Sequence, residues 1–230
     1  MPVNISVTFQ FETLQSSFEE KVFLTRAIIA GWTGRDPAAM EKHIAELEEL
    51  GVERPPATPM FYRISTARLT TADSIEVLGD DSSGEVEFVL LRHNEKLWVG
   101  TGSDHTDRKL EAYNVSFSKQ ACDKPVAVMF WAYEDVKDHW DELLLSSYID
   151  DAGEKKLYQQ GNVSSMLSPE DLIGKLGDND QMSDGTIMFC GTMPAQGGVR
   201  SSSRFEFELE DPILGRKISH AYDVLKLPVQ

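Results

Sequence analysis

Cysteine is nearly absent: Cys122 and Cys190 are too few and too far apart for a disulfide scaffold or a structural zinc site, and both are expected to be reduced. Positive charge is also scarce. Lys and Arg number 22 against 38 Asp and Glu, giving a net charge of -16 and a pI near 4.7. That excess repels phosphate backbones and anionic headgroups, so no nucleic acid and no membrane surface is expected as a partner. No stretch approaches the roughly 20 apolar residues of a membrane span. No N-terminal segment joins a basic region to a long apolar run. A cytoplasmic protein is therefore expected, without internal repeats or low-complexity segments. Hydrophobic residues make up 41% of the 230 positions, enough for a substantial core in one large domain, or in a main domain with a small N-terminal part.

Against this background one stretch carries the chemistry. Gly84-Glu85-Val86-Glu87 is followed by Gly102-Ser103-Asp104-His105-Thr106-Asp107-Arg108. Side chains alternate along a strand, so Glu85 and Glu87 share a face while Val86 and Phe88 turn to the core. Two neighbouring anions repel, and burial without relief is costly. A cation held by Glu85, Glu87 and Asp104 relieves it, and an all-oxygen ligand set favours Mg²⁺, Mn²⁺ or Ca²⁺ over zinc. The competing reading is a solvated face. It is weighed against Phe88-Val89-Leu90-Leu91, a nearly unbroken apolar run that implies burial on both sides. Glu206-Phe207-Glu208-Leu209-Glu210 shows what a solvated ladder looks like, with Phe205, Phe207 and Leu209 facing inward.

Elsewhere the pattern is mostly β. Asn4 to Phe11 alternates and reads as an edge or hairpin strand, and Val22–Leu24 and Ala27–Ala30 give further strand. Asp36-Pro37 opens a helix running to about Leu50, with Gly51 placed to end it. His43 and Glu46 are neighbours on its surface, a spacing that by itself describes an ordinary surface pair. Pro55, Pro56 and Pro59 enforce an extended connection before Phe61-Tyr62-Arg63-Ile64. Ala72 to Ser83 reads as strand and turn, and Trp131 to Glu142 as a loop or short helix with His139 in a packing role. Ser168 caps a second helix. Gly185 to Phe189 reads as a buried strand ending in the Gly191-Thr192 turn, and Phe205–Leu209 and Lys217–Val224 complete the sheet.

The series Glu85, Glu87, Asp104, Thr106, Arg108, Lys119, Gly191 and Thr192 resembles the motif order of the fumarylacetoacetate hydrolase superfamily, over nearly the whole chain. More closely, the chain is similar to a largely uncharacterised group related to it. The resemblance implies a mainly β fold with some α, a twisted β-sheet roll with a smaller N-terminal part. Residues 1–70 would form that part with its lid helix, and 71–230 the catalytic domain. It also implies a base dyad of His43 and Glu46 acting on water, and Lys119 as the active-site lysine, leaving Lys124 solvated. Arg108, Gly191 and Thr192 would bind the substrate carboxylate. Arg63 stands where the superfamily has Lys, Glu111 where it often has Gln, and Met193 where it has Pro. His105 is either an added proton carrier or a strand histidine, and is read as the latter. The implied activity is divalent-metal-dependent hydrolysis of a carbon-carbon bond in a 2-oxo or 1,3-dicarbonyl acid. Alternatives are a hydratase, dehydratase or decarboxylase on a 2-oxo-enoate or 2-keto-3-deoxy sugar acid, and a non-catalytic metal- and oxo-acid-binding protein that keeps the carboxylates. A homodimer is the expected assembly.

Overall fold

The computed structural model of the chain describes residues 5–49, 54–177 and 182–229. Its centre is the strand Val86–His93, buried on both sides through Leu91 as its apolar run requires. Val86, Phe88 and Leu90 face one core, and Val89 and Leu91 face another. Lys96–Ser103 and Thr186–Phe189 flank it, both antiparallel. The full eight-stranded sheet runs Ser17–Leu24, Ile5–Glu12, Met129–Ala132, Lys96–Ser103, Val86–His93, Thr186–Phe189, Arg26–Gly31, Met60–Ile64. It therefore draws strands from both sides of residue 70. Ile5–Glu12 is a hairpin strand, as its alternation suggests, but its partner Ser17–Leu24 takes the sheet edge.

A second sheet of five strands lies against the first, in the order Glu154–Asn162, Leu144–Asp151, Arg204–Asp211, Arg216–Leu227, Ser74–Leu78. The ladder read from sequence holds there: Phe205, Phe207 and Leu209 are buried, while the glutamates between them are partly exposed. Those side chains meet Phe88 and Leu90 in one apolar cluster, so the two sheets share a core. The eight-stranded sheet curls around the other cluster, built on Phe9, Phe11, Trp98 and Phe130. Phe9 and Phe130 meet edge to face at 4.9 Å, a favourable geometry for their quadrupoles.

Local sequence explains the helices. Asp36 Oδ1 accepts from the amides of Ala38 and Ala39 at 2.9 and 3.2 Å, starting Pro37–Glu49 as expected. The side chains of His43 and Glu46, and the segment with Gly51, lie outside the described residues. Ser168 caps Pro169–Lys175 through the amide of Asp171. Two short helices were not anticipated, Arg108–Tyr113 and Val115–Ala121. Asp107 and Asn114 cap them through Leu110 and Phe117 amides at 2.9 and 3.1 Å. The Trp131–Glu142 stretch ends a strand and then forms 3₁₀ turns, with Trp140 packed edge-on against Phe88 and His139 bonded to Asp211 at 3.0 Å.

Gly102 fits where backbone, strand and ring converge. A Cβ there would lie 2.6 Å from Phe189 Cε1 and 2.9 Å from the Pro125 carbonyl oxygen. A backbone carbonyl cannot yield as a flexible side chain does, so Gly102→Ala should destabilise by about 1–3 kcal/mol. Thermal unfolding of the variant checks this; an unchanged midpoint would contradict the packing.

Candidate metal centre

The acidic cluster is assembled by a tight turn. Lys96–Ser103 ends at Ser103, whose hydroxyl accepts from the Glu85 amide at 3.2 Å. The Asp104 amide donates to the Glu85 carbonyl at 3.0 Å, and Thr106 Oγ1 donates to the Asp104 carbonyl at 2.9 Å. These bonds fix Asp104 beside the start of the central strand. One carboxylate oxygen from each of Glu85, Glu87 and Asp104 then lies within 4.8 Å of the others. Glu87 and Asp104 are buried, and Glu85 keeps slight exposure. The three predicted ligands do converge.

Three cations converge with them. Lys119, near the end of Val115–Ala121, places Nζ 2.6 Å from Asp104 Oδ2, 3.2 Å from Glu85 Oε2 and 3.5 Å from Glu111 Oε1. Arg108 Nη1 reaches Glu85 Oε1 at 3.1 Å and Glu111 Oε2 at 2.8 Å, while Nε donates to Ser83 Oγ at 2.7 Å. Its Nη2 is buried without a partner. The third cation corrects the sequence reading. Lys124 is fully buried rather than solvated, with Nζ 3.1 Å from Asp104 Oδ1 and a hydrogen bond to the His105 carbonyl. The Lys-Pro pair lies in a short parallel strand beside Leu69–Thr70, which turns the side chain inward.

Charge sets the state of each group. Burial, with the neighbouring charges of Asp104 and Glu85, raises the Glu87 carboxyl well above its ordinary value. Burial also acts to raise Asp104, but Lys119 and Lys124 outweigh it and hold this acid low. Burial disfavours the Lys119 ammonium, yet Asp104, Glu85 and Glu111 keep its pKa well raised. Burial and the charges of Lys124 and Arg108 lower His105 to about 3, leaving the ring neutral at physiological pH.

These residues fit a hard divalent cation. All donors are oxygens, and both Asp104 carboxylate oxygens are buried against lysine ammonium groups, at 2.6 and 3.1 Å, positions that a cation would share. Glu87 carries a repulsion that a cation would relieve.

Gly191 and Thr192 support this group. The Gly191 amide donates to Glu87 Oε2 at 2.7 Å, and Thr192 Oγ1 donates to the Val86 carbonyl at 2.7 Å. Gly191 adopts φ +98, and a Cβ would fall 1.8 Å from Thr33 Oγ1, so only glycine brings that amide to Glu87. Gln159, not anticipated, ties the second sheet to this turn: Nε2 donates to Thr192 Oγ1 at 2.8 Å and Oε1 accepts from the Val86 amide at 3.0 Å. A glutamine on a strand gives no sequence signal for that role. His105 lies in the turn, not on a strand. Its ring nitrogens contact Tyr222 Oη at 2.8 Å and Ser82 Oγ at 2.9 Å, and Tyr222 contacts Ser103 Oγ at 2.9 Å. Arg63 is exposed, while the charges of Lys119 and Glu111 act on its neighbour Tyr62.

The curled β-sheet fold is the one found in fumarylacetoacetate hydrolase-like proteins. Among solved structures, Cg1458 aligns with a TM-score of 0.65 and 13% identity over 93% of this chain and 83% of that one. 2-Keto-3-deoxy-D-arabinonate dehydratase, complexed with magnesium and 2,5-dioxopentanoate, aligns with a TM-score of 0.65 and 19% identity over 89% and 74%. Fumarylacetoacetate hydrolase from psychrophilic Exiguobacterium antarcticum gives 0.61 and 15% over 93% and 83%. The chain itself belongs to the family described as protein of unknown function (DUF2848), whose model matches residues 30–222. A search of curated proteins finds no match.

Two measurements follow from the charges. Lys119 and a divalent cation compete for the same oxygens, so Lys119→Met should tighten Mn²⁺ binding roughly tenfold, about 1.4 kcal/mol; weaker binding in calorimetry would show that Lys119 assists the ion. Glu87, with its folded pKa above 4.5, holds its proton more tightly folded than unfolded. Its stabilising contribution is thus complete below 4.5 and lost as pH rises through the folded value. In EDTA-treated protein, Glu87→Gln should therefore be more thermostable than wild type, by a margin that grows with pH above 4.5; a shrinking margin would oppose the assignment.

Proposed function

We propose that this chain is an enzyme that holds a divalent cation, Mg²⁺ or Mn²⁺ before Ca²⁺, and acts on small 2-oxo or 1,3-dicarbonyl carboxylic acids. One observation carries the reading: one carboxylate oxygen from each of three acids converges in a largely buried site. The magnesium complex of the dehydratase that shares this fold supports it. Glu85, Glu87 and Asp104 would hold the cation, which would supply Lewis-acid stabilisation to the negative charge developing on the oxo acid.

The chain's own residues do the remaining work. Arg108, its guanidinium partly unpaired, fixes the substrate carboxylate. Gly191 and Thr192 would bind at that end as well; the Gly191 amide keeps Glu87 aimed, while Thr192 Oγ1 ties the turn to the Val86 carbonyl. Lys119, once released from Asp104, would donate to developing oxyanion charge. His43 and Glu46 are assigned as the base dyad that would take a proton from water. The reaction is hydrolysis of a carbon-carbon bond. The second reading is dehydration of a hydroxylated 2-oxo acid, favoured by the polar cleft beside Arg108. A homodimer completes the assembly.

Titration of EDTA-stripped protein with Mn²⁺, with and without oxalate, tests the chelating site. One ion per chain is expected, bound more tightly with oxalate and at least a hundredfold more weakly in Asp104→Ala, which removes a ligand. Absence of Mn²⁺ binding would reduce the cluster to an internal ion-pair network. Pyruvate release from acylpyruvates then reports the hydrolase, and water loss from deoxy sugar acids the lyase.

A further inference from the structure

We infer that Glu111 is a built-in stand-in for the ligand carboxylate, holding Arg108 and Lys119 until an oxo acid displaces it, an assignment that rests on the oxo-acid reading above. Glu111 follows Arg108 by three residues on the short helix Arg108–Tyr113, so the two side chains share a face. Its Oε2 lies 2.8 Å from Arg108 Nη1 and its Oε1 lies 3.5 Å from Lys119 Nζ. One carboxylate therefore spans both cations that the reading above assigns to the substrate.

The guanidinium shows why displacement is required. A carboxylate binds arginine best through two parallel bonds, on Nη1 with Nη2 or on Nε with one Nη. Nε carries a single hydrogen, and it goes to Ser83 Oγ at 2.7 Å. Nη1 carries two, and it meets Glu85 Oε1 at 3.1 Å and Glu111 Oε2 at 2.8 Å. Nη2 alone is unpartnered, and it is buried. Neither two-bond face is open while both glutamates stay. Glu85 belongs to the converging acids, is 17% exposed, and also meets Lys119 at 3.2 Å. Glu111 stands outside that set and is 30% exposed, so solvent weakens its ion pairs and it is the group that yields. It also lines a cleft of about 390 Å³ with Arg200 and the Asp80–Ser83 turn, room into which its side chain can swing. Its departure frees Nη1 to act with Nη2. The exchange sets specificity: a simple carboxylate gains only what it displaces, whereas an acid also held at Glu85, Glu87 and Asp104 gains more, so chelating oxo acids are chosen over plain ones.

The test measures oxalate affinity by calorimetry on Mn²⁺-loaded full-length protein, as wild type, Glu111→Gln, Glu111→Asp and Asp81→Asn. Apparent affinity is reduced by the fraction of molecules whose binding face is open, so Glu111→Gln should take oxalate roughly tenfold more tightly than wild type. Glu111→Asp, a methylene shorter and unable to span both cations, should fall between them. Asp81→Asn removes an equal charge from the same cleft without freeing Arg108, and should change the affinity by less than about twofold. Unchanged or weaker oxalate binding in Glu111→Gln overturns the assignment, as does an equal gain in Asp81→Asn, which would mark a general charge effect. Loss of Mn²⁺ binding in Glu111→Gln would make Glu111 a support of the centre and overturns it too. If wild type takes up no Mn²⁺ or no oxalate, the oxo-acid reading itself falls, an outcome distinct from oxalate binding that ignores Glu111.

Discussion

Asp104 sits fully buried between two ammonium groups, and the arrangement of the molecule follows from that constraint. An isolated carboxylate in such surroundings would take up a proton. Here Lys119 and Lys124 keep it ionised, so both oxygens remain acceptors. Removing either charge from a buried pair leaves the other uncompensated, which is why such groups come as sets. The turn bonds of Ser103, Thr106 and the Glu85 backbone hold Asp104 where those charges reach it.

The protein as a whole repels anions, with a net charge of -16. The centre does not share that character. Lys119, Lys124 and Arg108 gather against Glu85, Glu87, Asp104 and Glu111, nearly balancing them, so the local charge bears little relation to the global one. Long-range repulsion from the outer surface is screened over about 10 Å at moderate salt. The nearly balanced groups at the centre therefore set its local field more than distant surface carboxylates do.

Much of this was legible in the residues. The Val86–Leu91 run announces a strand buried on both faces, and the Phe205–Leu209 alternation announces one buried on a single face. Glu85, Glu87 and Asp104 were visible because carboxylates that close to apolar runs demand a partner. Lys124 was misread, since a lysine beside Asp123 and Pro125 looks like loop surface, and only pairing with Leu69 turns it inward. The helices at Arg108 and Val115 escaped because each is shorter than two full turns, too short for periodicity to emerge; their Asp107 and Asn114 caps were the readable signal. Gln159 left no trace, because its role depends on a contact between two sheets.

The bond between His105 and Tyr222 has a consequence for how the molecule is made. Tyr222 lies on Arg216–Leu227, and through it that strand braces the turn bearing Asp104, more than a hundred residues earlier. Gly191, similarly distant, must arrive before Glu87 is held. Contacts of such sequence separation form late and slowly. During synthesis the carboxylates emerge long before the groups that brace them, so the turn bearing Asp104 is fully braced only once the last strand has paired.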